Sequence, residues 1–200
     1  MSLLLVPDNT VLRRKPEEPL SYQLYDCFED YLSPDIQKRL LELNQSFPLK
    51  GLSGFIPAGQ ITKGQWVLYT HTCLVGQIAN GGLEQFIDNC PGLILDADKL
   101  LSEFGSEDLR AAYALAAQDF LAVIARHASN DPAATGDDLD LFWSNLEAAS
   151  REDDEGRFSA IDDACYAQSR EADASNWFTQ LEKRILNWVF EHPGEFVSAS

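Results

Sequence analysis

The sequence predicts an all-α fold, an irregular domain of about eight helices with no significant sheet. Two observations carry this. After residue 20, apolar residues recur at three- and four-residue spacing through most of the chain. Polar cap residues and glycine or proline breaks then cut that pattern into helix-length pieces. Each amphipathic stripe must be covered by another, and no internal repeat at solenoid periods is present, so the pieces close into a globule.

Residues 1–20 read as an extended leader, because Pro7, Pro16 and Pro19 oppose helix and no apolar period is present. Residues 21–64 hold two helices and a glycine-rich connector, and residues 65–196 form the main helical domain, the two packing as one globule. In the first helix Leu24, Phe28, Tyr31 and Leu32 share a face. Ser33-Pro34-Asp35 supplies an N-cap, a proline at the first helical position and an acid in the first turn. Ile36, Leu40, Leu43 and Phe47 form the stripe that follows.

Glycines at 51, 54, 59 and 64 and prolines at 48 and 57 break the pattern over residues 48–65. With no Gly-Lys-Ser/Thr ending and no preceding strand, this stretch reads as a connector crossing the surface, with short extended pieces, rather than a phosphate cradle.

Helical patterning resumes at Gln65, with Trp66, Tyr69, Thr70, Cys73, Leu74 and Ile78 on one face. Asn80-Gly81-Gly82 ends it, a short helix follows over 83–89, and Pro91-Gly92 stops that one. A helix over 94–104 places Leu100, Leu101 and Phe104 inward, with Gly105 at its C-cap. Ser106 caps the strongest pattern, one helix running from Leu109 through Ala112, Tyr113, Ala116, Phe120 and Val123 to Ile124. After a polar turn at 129–137, Leu139, Phe142, Leu146 and Ala149 mark another. A charged loop from Arg151 to Gly156 precedes a helix over 158–170. The last helix starts at Ser175, runs through Trp177, Leu181, Ile185, Trp188 and Val189, and ends at Pro193-Gly194.

The net charge is −17, from 15 basic and 32 acidic residues. Such a chain repels nucleic acid and anionic membranes, since its basic residues are scattered and Arg13-Arg14-Lys15 runs straight into Pro16-Glu17-Glu18. Residues 129–175 hold thirteen acids and three arginines, a net −10. Duplex DNA shows one phosphate per roughly 3.4 Å along each strand. A helix rises about 1.5 Å per residue, so an acid at every second or third position approaches that density. The stretch is either a solvated outer face or a contact face for a basic protein, formed by Asp137, Asp138, Asp140, Glu152, Asp153, Asp154, Glu155, Asp162 and Asp163.

Four cysteines, Cys27, Cys73, Cys90 and Cys165, form no Cys-x-x-Cys pair and read as buried free thiols in a reducing compartment. The apolar run from Leu3 to Val6 is too short for a signal-peptide core, and the expectation is a cytoplasmic protein. Neither His-Glu-x-x-His nor Glu-x-x-His occurs, His71 and Cys73 point to different faces of a helix, and His127 and His192 sit at helix ends, where the dipole favours them. No metal, no cofactor and no catalytic residue is indicated, and no nucleophile elbow is present.

The segment from Gln77 to Asn89, followed by Asp96 to Phe120, resembles the bacterial domain family named after a DNA-mimic protein, long listed as a domain of unknown function. The residues that carry the resemblance are Asn80, Gly81, Gly82, Gln85, Phe86 and Asn89, with Leu83 replacing the usual aromatic. Ala97, Leu100, Leu101, Gly105, Ala112 and Ala116 follow the family's pattern, and Trp188 to Phe196 looks like its closing helix. The resemblance covers roughly 65–196 and implies an all-helical fold, often dimeric, with DNA mimicry in a founding member. The glycine motif itself reads as a helix cap, with Gln85 and Asn89 on one face tying neighbouring backbone. The leading functional expectation is an acidic protein that binds a basic protein surface as a DNA mimic. An immunity- or antitoxin-like inhibitor of a basic toxin or nuclease, and an enzyme acting in a helical cleft, are the alternatives.

Overall fold

The computed structural model describes residues 14–130, 137–151, 156, 158–170 and 174–197, together with Leu5. Among these residues the chain forms nine α-helices and no sheet, the all-α fold expected. Most of the leader, the polar turn at 131–136 and Glu152 to Glu155 lie outside the described residues, as do the side chains of Leu139 and Ala149.

The helices are α1 (Leu20–Tyr31), α2 (Pro34–Ser46), α3 (Lys63–Asn89), α4 (Ile94–Phe104) and α5 (Glu107–Ala116), then α6 (Gln118–Asn130), α7 (Asp137–Arg151), α8 (Ser159–Arg170) and α9 (Trp177–Glu191). Side-chain caps set several starts. Ser33 accepts the Ile36 N–H of α2, and Ser106 accepts the Leu109 N–H of α5. Thr62 and Gln65 form a reciprocal capping box on α3, and Asn176 accepts the Phe178 and Thr179 N–H groups of α9.

α3 is the centre of the fold and packs against α1, α4 and α8. The sequence suggests a one-sided stripe here, yet every residue from Gly64 to His71 is buried. A helix enclosed on all sides loses the amphipathic signature, because no flank faces water. α9 closes the other side against α1, α4, α5 and α8, while α6 and α7 pair and α6 also meets α4. The chain end seals the bundle: Phe196 is buried and stacks on Tyr31 with ring centroids 4.6 Å apart.

Two expectations need correction. The connector at 48–65 is not a surface crossing with extended pieces. It holds a 3-10 helix, Leu52–Phe55, and buries Leu49, Leu52, Phe55 and Ile61 in the core. Its polar backbone is satisfied from inside by Asp96, a carboxylate fully buried on α4. Asp96 Oδ2 accepts the Leu52 N–H at 2.7 Å. Its Oδ1 accepts the Ser53 N–H at 2.9 Å and the Trp66 indole N–H at 2.9 Å. Gly51 makes the approach, with φ +67° and space for a Cβ only 2.9 Å from Asp96 Oδ2.

The long helix expected from Ser106 to Ile124 is two helices that change direction at Ala117. No proline or glycine marks the bend. Ala116 and Ala117 are both fully buried, and α5 packs on α8 and α9 while α6 packs on α7, so tertiary packing sets it.

His71 is buried on α3, and neither ring nitrogen has a hydrogen-bond partner among the described residues. Burial lowers its pKa from the usual 6.5 to about 4. Between those values the unfolded chain binds a proton that the native chain does not, so stability falls as pH drops through this window. Asp96, raised by burial against its hydrogen bonds, acts in the opposite sense at the acid end.

Two predictions follow from these buried groups. Urea unfolding should show Asp96→Ala destabilised by about 3–5 kcal/mol, with three N–H donors left unsatisfied, and Asp96→Asn by less, since one carbonyl can keep the Ser53 and Trp66 bonds. His71→Leu should match or exceed wild-type stability at pH 7, and its advantage should grow by up to about 3 kcal/mol on titration to pH 4. A constant difference across that range would show that His71 does not titrate with folding.

Candidate functional site

The glycine motif forms a corner inside α3. Gly81 (φ −162°, ψ 21°) and Gly82 (φ 84°, ψ 178°) leave the helical region, so α3 consists of two arms, 63–80 and 83–89. Residues 77 and 89 would stand about 18 Å apart along a straight helix. Yet Gln77 Oε1 accepts the side-chain amides of both Gln85 and Asn89 at 2.8 Å. The second arm therefore folds back toward the first. Gln85 and Asn89 do lie on one face, as the spacing suggests, but they tie the Gln77 side chain rather than backbone.

Of the two glycines at the corner, only Gly82 has a positive φ. Its N-terminal role is completed by Asp162 of α8, whose Oδ1 accepts the Leu83 N–H at 2.7 Å and whose Oδ2 lies 2.7 Å from where a Gly82 Cβ would stand. Burial raises the Asp162 pKa; the Leu83 N–H opposes that, and neighbouring Asp163 adds to it. Phe86 fills the core beneath the corner, and Asn80 is exposed.

Of the nine acids of the expected contact face, three have described side chains, and these differ. Asp140 on α7 and Asp163 on α8 are exposed, whereas Asp162 is half-buried and committed to the α3 corner. Asp137 and Asp138 lie in the first turn of α7, with side chains outside the description, as are Glu152, Asp153, Asp154 and Glu155. Exposed acids also stand elsewhere, among them Asp30 on α1, Asp35 on α2, Glu84 on α3 and Glu191 on α9. Nothing in the sequence marked Asp162 as different, because its partner is 79 residues away.

The described residues include the walls of two surface pockets. One, about 370 Å³, is lined by Leu41, Asn44, Tyr69, Asp88, Cys90 and Trp143 among others. The second, about 540 Å³, lies between the segment before α1 and α9 and includes Arg14, Glu18, Glu182 and Lys183. Among the described residues no cluster of three or more His, Cys, Asp or Glu side chains is arranged to hold a metal ion. Likewise, no helix among them is long and apolar enough to cross a membrane. His127 Nε2 lies 3.1 Å from Asn145 Nδ2, and His192 stacks on Trp188.

A family model described as DMP19-like protein matches residues 59–192. The match runs from the connector to the end of α9, so α1 and α2 lie before it although they pack on the matched helices. No curated protein and no solved structure gives a match.

The α3 corner generates its own test. Gly82→Ala should cost about 1–3 kcal/mol in urea unfolding, from backbone strain and the collision with Asp162. Asp162→Ala should cost about 1 kcal/mol as a lost cap on a half-buried group. The double variant should cost less than the sum, because removing the carboxylate relieves the collision. Additive losses would show that the two positions do not touch.

Proposed function

The chain belongs to the DMP19-like protein family, and from that membership we propose that it binds the basic surface of a DNA-binding protein by presenting a DNA-like array of carboxylates. The observation that carries the reading is the net −10 of residues 129–175, within a chain of net −17. Asp140 and Asp163 are exposed members of that stretch on α7 and α8. A protein shaped to grip phosphates gains the same Coulomb attraction from carboxylates held at similar density. Asp140 and Asp163 stand on helices, which limits the ordering cost of those two side chains on binding.

The immobilised chain, exposed to cell lysate at low salt, should retain a basic DNA-binding protein. Free duplex DNA should displace that protein, and raising salt from 50 to 200 mM should weaken binding roughly tenfold or more. The variant Asp137→Asn, Asp138→Asn, Asp140→Asn should lose much of the binding. The control Asp30→Asn, Asp35→Asn, Glu42→Gln, which removes the same charge from α1 and α2, should retain it. Recovery of nothing basic, retention insensitive to duplex DNA, or equal loss in both variants would overturn the reading.

A further inference from the structure

The fold-back of α3 at Gly81–Gly82 builds one side of the 370 Å³ pocket. Tyr69 comes from the first arm and Asp88 from the second, while α2 contributes Leu41 and Asn44 and α7 contributes Trp143. The volume lies within the roughly 300–1,000 Å³ of small-molecule sites. Leu41 and Asn44 precede the family match over 59–192, so the pocket is completed by a part of the chain that the match does not reach. Cys90 also stands in the wall. It is half-buried, as is Cys73, which corrects the expectation of four buried thiols, whereas Cys27 and Cys165 are buried.

Three features of the wall decide what fits it. Leu41 is 45% exposed and Trp143 is only half-buried, so the pocket leaves aliphatic and aromatic carbon open to water. Covering that carbon favours a ligand with an apolar, aromatic body. Asn44 is 7% exposed, and its Nδ2 is buried with no hydrogen-bond partner among the described residues. Its Oδ1 lies against Gly92, also in the wall, where a Cβ would stand only 2.1 Å away. The terminal torsion of an asparagine is broad, so a small turn of the amide offers the unused donor to an acceptor in the pocket. Finally, Asp88 is exposed, and the wall carries no lysine or arginine among its described residues. In a chain of net −17, this carboxylate favours a cation and repels an anion.

We propose that the pocket binds a small arylamide cation. Its ring covers Leu41 and Trp143, its carbonyl oxygen accepts the Asn44 amide N–H, and its ammonium group points toward Asp88. A bare hydrocarbon would leave the Asn44 donor unpaired, and an anion would meet Asp88. Asp88 is not among the acids of the partner-binding reading, so the two proposals stand or fall separately.

The test is a titration of the nitrogen-15-labelled full chain at pH 7 with N-(2-aminoethyl)benzamide, followed by NMR. The Asn44 side-chain amide and the Trp143 indole N–H signals should shift and saturate together, with a Kd on the order of 1 mM for a ligand of this size. 4-Phenylbutylamine, of equal length but without the carbonyl, should bind about fivefold more weakly. N-Propylbenzamide, which lacks the charge, should bind about threefold more weakly. Hippurate, with a carboxylate in place of the ammonium, should be the weakest of the four. Asp88→Asn should erase the preference for the charged amide over N-propylbenzamide, and Asn44→Leu the preference for the carbonyl over 4-phenylbutylamine. Shifts that spread over the surface without saturating, or equal affinities of the wild type for all four compounds, would overturn the proposal. So would a variant that folds, by its own spectrum, yet keeps the preference its lost group is meant to set. The four-compound series on the wild type needs no substitution, so a variant that fails to fold does not affect it.

Discussion

A single buried carboxylate does much to hold the architecture together. Asp96 accepts two backbone N–H groups from the connector and the indole N–H of Trp66 on α3, while itself standing on α4. It thereby joins three segments far apart in sequence. Removing a carboxylate from water is costly, and burial raises its pKa despite three donors. The cost is tolerated because those donors would otherwise be buried and unpaired. Lys99, which donates to the Ser53 hydroxyl at 2.8 Å, adds a favourable charge nearby. The connector can therefore enter the core and bring α1 and α2, which precede the family match, onto the matched helices.

Asp162 repeats the device at the other end of α3. Each carboxylate meets backbone N–H groups more than forty residues away, and each sits against a glycine with positive φ. The two differ in burial, so the exchangeable part is larger at Asp162, where water can replace a lost bond. The corner that Asp162 completes also decides what lies beside what, setting Gln77 against Gln85 and Asn89. A local choice of two glycines thus sets a side-chain amide cluster that no linear spacing rule describes.

Local signals made much of the fold legible. Ser33-Pro34-Asp35 and Ser106 begin helices where the sequence says, because a cap needs only its own next few residues. The stripe Leu24, Phe28, Tyr31, Leu32 is buried as its spacing implies. What stayed hidden depends on distant partners. The connector looks like surface because six of its eighteen residues are glycine or proline, and the buried Asp96 that satisfies its backbone lies more than forty residues away. The bend at Ala117 has no breaker residue, and the all-round burial of Gly64 to His71 erases the helical stripe that was sought there. Of the acidic stretch, the sequence offered charge density but could not distinguish Asp162, turned inward, from Asp163, turned outward.

That distinction bears on how the acidity should be understood. Several acids serve the fold. Asp35, Glu107, Asp108 and Asp119 stand in the first turns of helices, where the N-terminal partial charge favours them. Asp96 and Asp162 satisfy backbone donors, and Glu195 reaches the Gly64 N–H at the start of α3. Such acids would be present whether or not a partner exists. Asp140 and Asp163 belong to another class: exposed, not assigned to a cap, and lying in the stretch where carboxylates most outnumber basic residues. Repulsion among like charges in such a stretch opposes folding, although Asp140, the fourth residue of α7, also meets the N-terminal partial charge of its helix. A cationic surface that meets them would turn this internal cost into binding free energy. The carboxylates without structural work, rather than the total charge, are therefore the ones on which a partner-binding role depends.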